Sequence, residues 1–292
     1  MVDACTRTLG LVGDPVEHSL SPLLQGLLIE ALGLNWCYHA FRVRAADLPA
    51  AVGGLRALGV MGVNVTIPHK QAIVPLLDEL APEARALGAV NVVVNEQGRL
   101  VGYNTDVVGV TRALRLHGVS AQGKNVVVLG AGGAARAAVW ALAQQGAAGV
   151  RVHARSIGRG QQLVHELSST SHTTELVVLP WDEEALRRSL ATADLAVNAT
   201  PVGMWPHHGQ SPVPGSFFHS GMVAFDLVYN PLRTAMIRQA EQAGAQVISG
   251  LEMFIFQGLE AMALWSGRRP ADEDGLYQHL RARLSEELGA HG

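Results

Sequence analysis

Gly130, Gly132 and Ala135 occupy the G-x-G-x-x-A positions of the run Val126-Val-Val-Leu-Gly-Ala-Gly-Gly-Ala-Ala-Arg136, a spacing suited to a dinucleotide. The first glycine permits a tight turn, the second lets the backbone approach a pyrophosphate, and the small third residue lets a helix pack on the strand before it. The N-terminus of that helix offers N–H groups and positive dipole to the phosphates. Roughly 20 residues on, where an NAD site carries an acid for the ribose 2′-hydroxyl, the chain reads Ala154-Arg155-Ser156-Ile-Gly-Arg159. Two guanidinium forks there suit a 2′-phosphate instead. Two further runs, Asn64-Val-Thr-Ile-Pro-His-Lys70 and Gly102-Tyr-Asn-Thr-Asp106, crowd polar side chains together. Lys70, two residues after Pro68, suits a helix start, and Asp106 suits the cap of a helix beginning near Val107. Ser19 and Ser21, before Pro22, have the same capping reading; a chemical role for Asp106 requires a partner.

The elements that must hold these residues follow from periodicity. Residues 126–129 are four apolar residues, three of them β-branched, as expected of a strand buried on both faces, and an Ala-rich helical run follows over 134–145. Upstream, strands are expected at 9–13, 36–43 and 61–67, with helices after Pro22 and over 46–58, the latter closed by Gly59. That alternation predicts a second α/β unit with a mainly parallel sheet. Asn64 to Lys70 then falls at a strand's carboxyl end, where open α/β sheets bind ligands. A hairpin is expected through Gln97-Gly98. Strands are also expected at 149–154, in 194–204 and in 223–229. Helical patterns run from Gly250 to Trp265 and from Leu276 to Leu288.

Composition narrows the class. The 292 residues suffice for two domains of ordinary size, and a 48% hydrophobic content with net charge −3 describes a globular protein without a basic nucleic-acid surface. Residues 1–10 hold no apolar core preceded by basic residues, and no run of 18 apolar residues occurs, so the cytoplasm is the expected compartment. Cys5 and Cys37 lack metal-ligand spacing, and free thiols are expected. Trp205-Pro-His207-His208 has no Cys or His set beside it, so no metal is expected.

Taken together, Ser19-Leu-Ser21-Pro, Asn64-Val-Thr66-Ile-Pro-His-Lys70, Gly88-Ala-Val-Asn91 and Asn104-Thr-Asp106 resemble the substrate-half motifs of the shikimate dehydrogenase family, in that family's order. The resemblance extends over nearly the whole chain. It implies that Lys70 and Asp106 are the catalytic pair, and that Ser19, Ser21, Thr66, Asn91, Tyr229 and Gln257 hold the substrate. It assigns the cofactor to Gly130, Ala131, Gly132, Gly133, Ala134, Arg155, Ser156, Arg159, Asn198, Thr200, Leu227, Gly250 and Met253. For Tyr229 a buried core position is the competing account. A polyhydroxylated cyclohexene carboxylate suits this set, since Ser and Thr hydroxyls pair with a carboxylate and Asn offers both donor and acceptor to ring hydroxyls. Oxidising its secondary alcohol sends a hydride to the nicotinamide and a proton to a base. Lys70 can take that proton if burial lowers its pKa, while Asp106 favours the ammonium and orients it.

The implied architecture is two α/β domains: a substrate domain over 1–105, a Rossmann-type NADP domain over 106–249, and C-terminal helices over 250–292 that complete the first, with the active site in the cleft between them. The implied function is NADP-dependent interconversion of shikimate and 3-dehydroshikimate, by a monomer or homodimer acting on a small molecule and engaging neither nucleic acid nor membrane. Four departures from the family pattern point to divergence. Ala154 and Ser156 replace Asn and Thr beside Arg155, which leaves NAD as a possible cofactor. Glu252 replaces Gly in Gly-Leu-Gly-Met, adding a carboxylate that could repel an anionic substrate, and Val107 stands where glycine often follows the Asp. The alternatives are a quinate or aminoshikimate paralogue with NAD or mixed cofactor use, and a non-catalytic NADP-binding regulator. Ser21 leans to shikimate, since quinate-preferring members tend to carry Thr there.

Overall fold

The computed structural model describes residues 2–168 and 173–290. The chain divides into two compact units, Met1–Thr105 with Gln257–Glu286, and Asp106–Phe256 with Glu287–Gly292.

The first unit runs β1 (Arg7–Gly13), α1 (Ser21–Ala31), β2 (Trp36–Arg42), α2 (Leu48–Ala57), β3 (Gly62–Val65), β4 (Glu79–Leu80), α3 (Pro82–Leu87), β5 (Val92–Glu96) and β6 (Arg99–Tyr103). Its sheet has the order β2-β1-β3-β5-β6-β4. β1 pairs in parallel with β2 and β3, and β4 with β6, while β3–β5 and β5–β6 are antiparallel. β5 and β6 form the hairpin at Gln97-Gly98, where both residues take positive φ, as a two-residue turn matching strand twist requires. Val12, Val63, Val65, Val93 and Leu100 bury one face of this sheet against Leu48, Val52 and Leu55 of α2. Because β2 lies on one side of β1 and β3 on the other, the chain reverses direction across the sheet at the β1/β3 edge, and ligands of such sheets bind at the carboxyl ends there. Ser19, Ser21, Thr66 and Lys70 all follow those two strand ends.

No helix starts at Lys70. Residues 66–73 form turns, and a short 3₁₀ helix covers Val74–Leu76. Ile73 N–H donates to His69 O, closing one α-turn, but Pro75 has no N–H to extend it, and Val74 N–H donates to Gln71 O instead.

The second unit runs α4 (Asp106–Leu116), β7 (Asn125–Leu129), α5 (Gly133–Gln144), β8 (Gly149–Ala154), α6 (Ile157–Ser168), β9 (Glu175–Pro180), α7 (Glu183–Leu190), β10 (Leu195–Asn198), β11 (Val223–Asp226), α8 (Ala235–Gln242) and β12 (Gln246–Ile248). Its sheet, β12-β11-β10-β7-β8-β9, is parallel throughout. Counted from β7 this is the order 3-2-1-4-5-6 of a dinucleotide-binding fold, with its reversal between β7 and β10. Residues 126–129 are wholly buried, as a central strand with helices on both faces must be.

Helices α9 (Gly250–Ser266) and α10 (Glu273–Ala290) end the chain. α9 is shared, the first unit beginning at Gln257. Its far end is pinned within that unit by Trp265, whose indole N–H donates to Val93 O at 3.0 Å. Gly62 makes the approach possible, since a Cβ there would run into the indole and the Val93 carbonyl.

Candidate active site

In the first unit the carboxyl ends of β1 and β3 interlock. Asp14 N–H donates to Ile67 O at 2.9 Å, and a Cβ on Gly13 would collide with the Thr66 methyl. The Ser19 hydroxyl accepts from Ser21 N–H (3.2 Å) and donates to Ser21 Oγ (3.1 Å). The cap of α1 is Leu20, without a side-chain hydrogen bond, so neither serine is the N-cap itself. Ser19 satisfies the first helical N–H from one position further out, and the two hydroxyls sit side by side.

Lys70 is half-buried, and its carbonyl accepts from Val90 N–H at 2.7 Å. The next residue, Asn91, is a junction. Its Oδ1 accepts from Thr105 N–H at 2.7 Å, and its Nδ2 donates to Thr105 Oγ1 at 3.0 Å and Gln257 Oε1 at 3.4 Å. Asn104 Nδ2 donates to Ala89 O at 2.9 Å. Lys70, Asn91, Thr105 and Gln257, separated by up to 187 positions in sequence, are thus joined through one buried hydrogen-bonded segment. Two members were not singled out from the sequence. Asn64 accepts from the Tyr38 hydroxyl at 2.7 Å and donates to Asn91 O at 3.4 Å, and Thr105 anchors Asn91. Both stand inside the polar runs, so the signal was present and only the roles were not. Such enclosed polar groups are kept only when their hydrogen bonds are made.

In the second unit Asp106 opens α4 and is 3% exposed; Val107 beside it is buried. At the β7/β10 reversal Gly130 has φ +113°, and a Cβ would press on Ala199 O at 3.0 Å. Gly132 caps α5 with no side-chain hydrogen bond, φ −88°, and open space where a Cβ would stand. Neither its conformation nor its neighbours require glycine, and the space it leaves beside the α5 N-terminus suits a pyrophosphate. Ala131, Gly133 and Ala134 complete this turn. Arg155, Ser156 and Arg159 are exposed where β8 passes into α6, and among the described residues neither arginine forms an ion pair. The residues present therefore fit a 2′-phosphorylated dinucleotide.

The remaining cofactor candidates converge on a residue the sequence reading passed over, Asp226, wholly enclosed at the end of β11. Asn198 Nδ2 donates to Asp226 Oδ1 at 2.8 Å, and Asn198 Oδ1 accepts from the Thr200 hydroxyl at 2.7 Å. Leu227 N–H donates to Asn198 O at 3.0 Å. Gly250 lies against the Leu227 carbonyl so closely that no Cβ fits. Burial pushes the Asp226 carboxyl up to about 6, against the pull of three hydrogen-bond donors. The signal was an acid closing the apolar strand Val223-Ala-Phe-Asp226. Met253 is buried, whereas Tyr229 is only half-buried and stacks on Phe254 at 4.2 Å, so it is no core tyrosine.

Glu252 does not stand as a loose carboxylate. It is 3% exposed, and its Oε2 accepts from the Ser249 hydroxyl at 2.6 Å while Leu251 N–H donates to Ser249 Oγ. Ser249 and Glu252 are the N-cap and third residue of α9, a capping pair that turns the charge to its own helix terminus. Trp205 stacks on His208, and among the described residues no group of His, Cys, Asp and Glu is placed to hold a metal. No described helix is long and apolar enough to cross a membrane.

Residues 11–93 match the family model of the shikimate dehydrogenase substrate binding domain, and residues 112–202 match that of shikimate / quinate 5-dehydrogenase. The NADP(+) shikimate dehydrogenase of Geobacter metallireducens is 46% identical over 269 residues, covering 91% of this chain and 93% of that one. The crystal structure of shikimate 5-dehydrogenase from Thermus thermophilus, in complex with NADP(H) and shikimate, superposes with a TM-score of 0.83 at 36% identity, covering 95% of this chain and 99% of that one. Quinate dehydrogenase from Corynebacterium glutamicum, in complex with NAD, superposes with a TM-score of 0.85 at 30% identity, covering 96% and 99%.

Proposed function

The chain belongs to the shikimate dehydrogenase family, and from that premise we propose that it catalyses the reversible, NADP-dependent oxidation of shikimate to 3-dehydroshikimate. The observation that supports the reading is the buried segment tying the Lys70 main chain, through Val90 and Asn91, to Thr105 and Gln257, because it holds the backbone at Lys70 next to donors and acceptors suited to a polyhydroxylated ring. The unit of residues 1–105 with 257–286 supplies most of the substrate contacts, and residues 106–256 hold the cofactor.

NADP, when bound, accepts the hydride from the alcohol carbon. Lys70 takes the hydroxyl proton, and Asp106 keeps the ammonium and the substrate hydroxyl in register. Ser19, Ser21 and Thr66 pair with the carboxylate, Asn91 and Gln257 with the ring hydroxyls, and Tyr229 borders the ring. Gly130 to Ala134 cradle the pyrophosphate, and Arg155 and Arg159, with Ser156, hold the 2′-phosphate. Asn198, Thr200, Leu227, Gly250 and Met253 shape the nicotinamide end. The family supports a role in aromatic amino acid biosynthesis, and we place the protein in the cytoplasm as a monomer or homodimer.

Initial rates on shikimate and quinate, each with NADP and NAD, test the proposal. Shikimate with NADP should give the highest kcat/KM. A preference for quinate with NAD would overturn the substrate assignment, and no turnover with cofactor still bound would leave a regulator.

A further inference from the structure

Asp226 gathers three donors from three places in the second unit. Asn198 Nδ2, at the end of β10, and Val228 N–H, just beyond β11, meet Oδ1 at 2.8 and 3.0 Å. The Thr234 hydroxyl, N-cap of α8, donates to Oδ2 at 2.6 Å while accepting from Ile237 N–H. The hold passes outward. Asn198 Oδ1 accepts from both the N–H and the hydroxyl of Thr200, whose Oγ1 accepts from Val202 N–H, and Asn198 Nδ2 also donates to Val202 O. On the other side the Leu227 peptide is trapped between Asn198 O, which takes its N–H, and Gly250, which abuts its carbonyl.

An enclosed carboxylate is costly, and what sets the ionisation of this one is burial and the same three donors, with no charged side chain among them. Only a carboxylate offers acceptors on both oxygens to all three donors at once. We propose that Asp226 is the positioning residue for the nicotinamide half of the cofactor site, locking the loops at 198–202 and 227–229 in the one arrangement that binds it. This rests on the dehydrogenase reading above. The 2′-phosphate end of the adenylate half depends on other residues, Arg155 and Arg159 where β8 passes into α6, so the two ends can be probed separately.

The full chain, its Asp226→Ala variant and its Asp226→Asn variant are titrated calorimetrically with NADP and with adenosine 2′,5′-bisphosphate, which lacks the nicotinamide. Asp226→Ala should weaken NADP roughly tenfold, equivalent to about 1.4 kcal/mol, and leave bisphosphate affinity within about threefold. Asp226→Asn should recover most of the loss, because its oxygen still accepts from Asn198 and Val228 and its amide can donate to Thr234. If the alanine variant is insoluble, Asp226→Ser is read by the same ratio. A lowered melting temperature with an unchanged ratio, or equal loss of both ligands, overturns the positioning role. If the unaltered chain binds neither nucleotide, the dehydrogenase reading itself falls and takes this inference with it.

Discussion

Replacing Asp226 by Asn should change how stability depends on pH. Burial holds the folded carboxyl at about 6 against an ordinary 3.8, so the native state keeps a proton that the unfolded chain releases first. Folding therefore takes up a proton between about pH 4 and pH 6, and the associated stability is complete below the unfolded pKa and lost as pH rises through the folded one. About two units of displacement, at about 1.36 kcal/mol each, give a loss of about 3 kcal/mol. The carboxylate is wholly enclosed, so solvent does not reduce that figure. Asparagine has nearly the same shape and does not titrate, so the variant escapes the loss. Asp78, held below the usual carboxylate range by Arg56, and Asp194, held down by Asn125 N–H, push stability the other way in both proteins and cancel in the difference. Urea denaturation of both proteins from about pH 4 to about pH 7 measures it. Stability of the unaltered protein minus that of Asp226→Asn should fall by about 2.4 kcal/mol across the range, the rest of the loss lying below pH 4 and above pH 7. A difference constant to within about 1 kcal/mol, or one that grows, refutes the burial argument.

Lys70→Ala should lower kcat by about 10²-fold or more with KM for shikimate little changed, as loss of proton transfer requires; steady-state kinetics showing a KM effect alone would remove its catalytic role. Arg155→Ala should raise KM for NADP about tenfold and leave KM for NAD unaltered, because only the 2′-phosphate meets the guanidinium. Gly132→Val should melt within a few degrees of the parent, since open space surrounds its Cβ position, yet lose NADP affinity measurably in calorimetry because the branched side chain fills the pyrophosphate approach. Gly62→Ala should do the reverse, costing about 1–3 kcal/mol in urea denaturation where its methyl meets the Trp265 indole and the Val93 carbonyl.

The elements written in short-range pattern were readable. The valine run at 126–129, the glycines after it and the Ala-rich helix announced β7 and α5, and Gln97-Gly98 announced its hairpin, because strand period, helix period and positive φ are properties of neighbouring residues. Where the outcome depended on a competing local detail the reading slipped. Pro75 withheld the N–H that a helix at Lys70 needed, and Leu20, not a serine, capped α1.

Residue types at set spacings thus determined the fold class and the cofactor class, and the family resemblance they carry implied the candidate catalytic pair. Tertiary structure alone decided what the buried polar groups do. Asn91 meets Gln257 across 166 positions, Asp226 meets Asn198 across 28, and Glu252 pairs with Ser249 at the start of its own helix. The reason is that a carboxylate's ionisation and its hold on its surroundings are set by the donors and the dielectric around it, and folding assembles both from segments with no pattern in common.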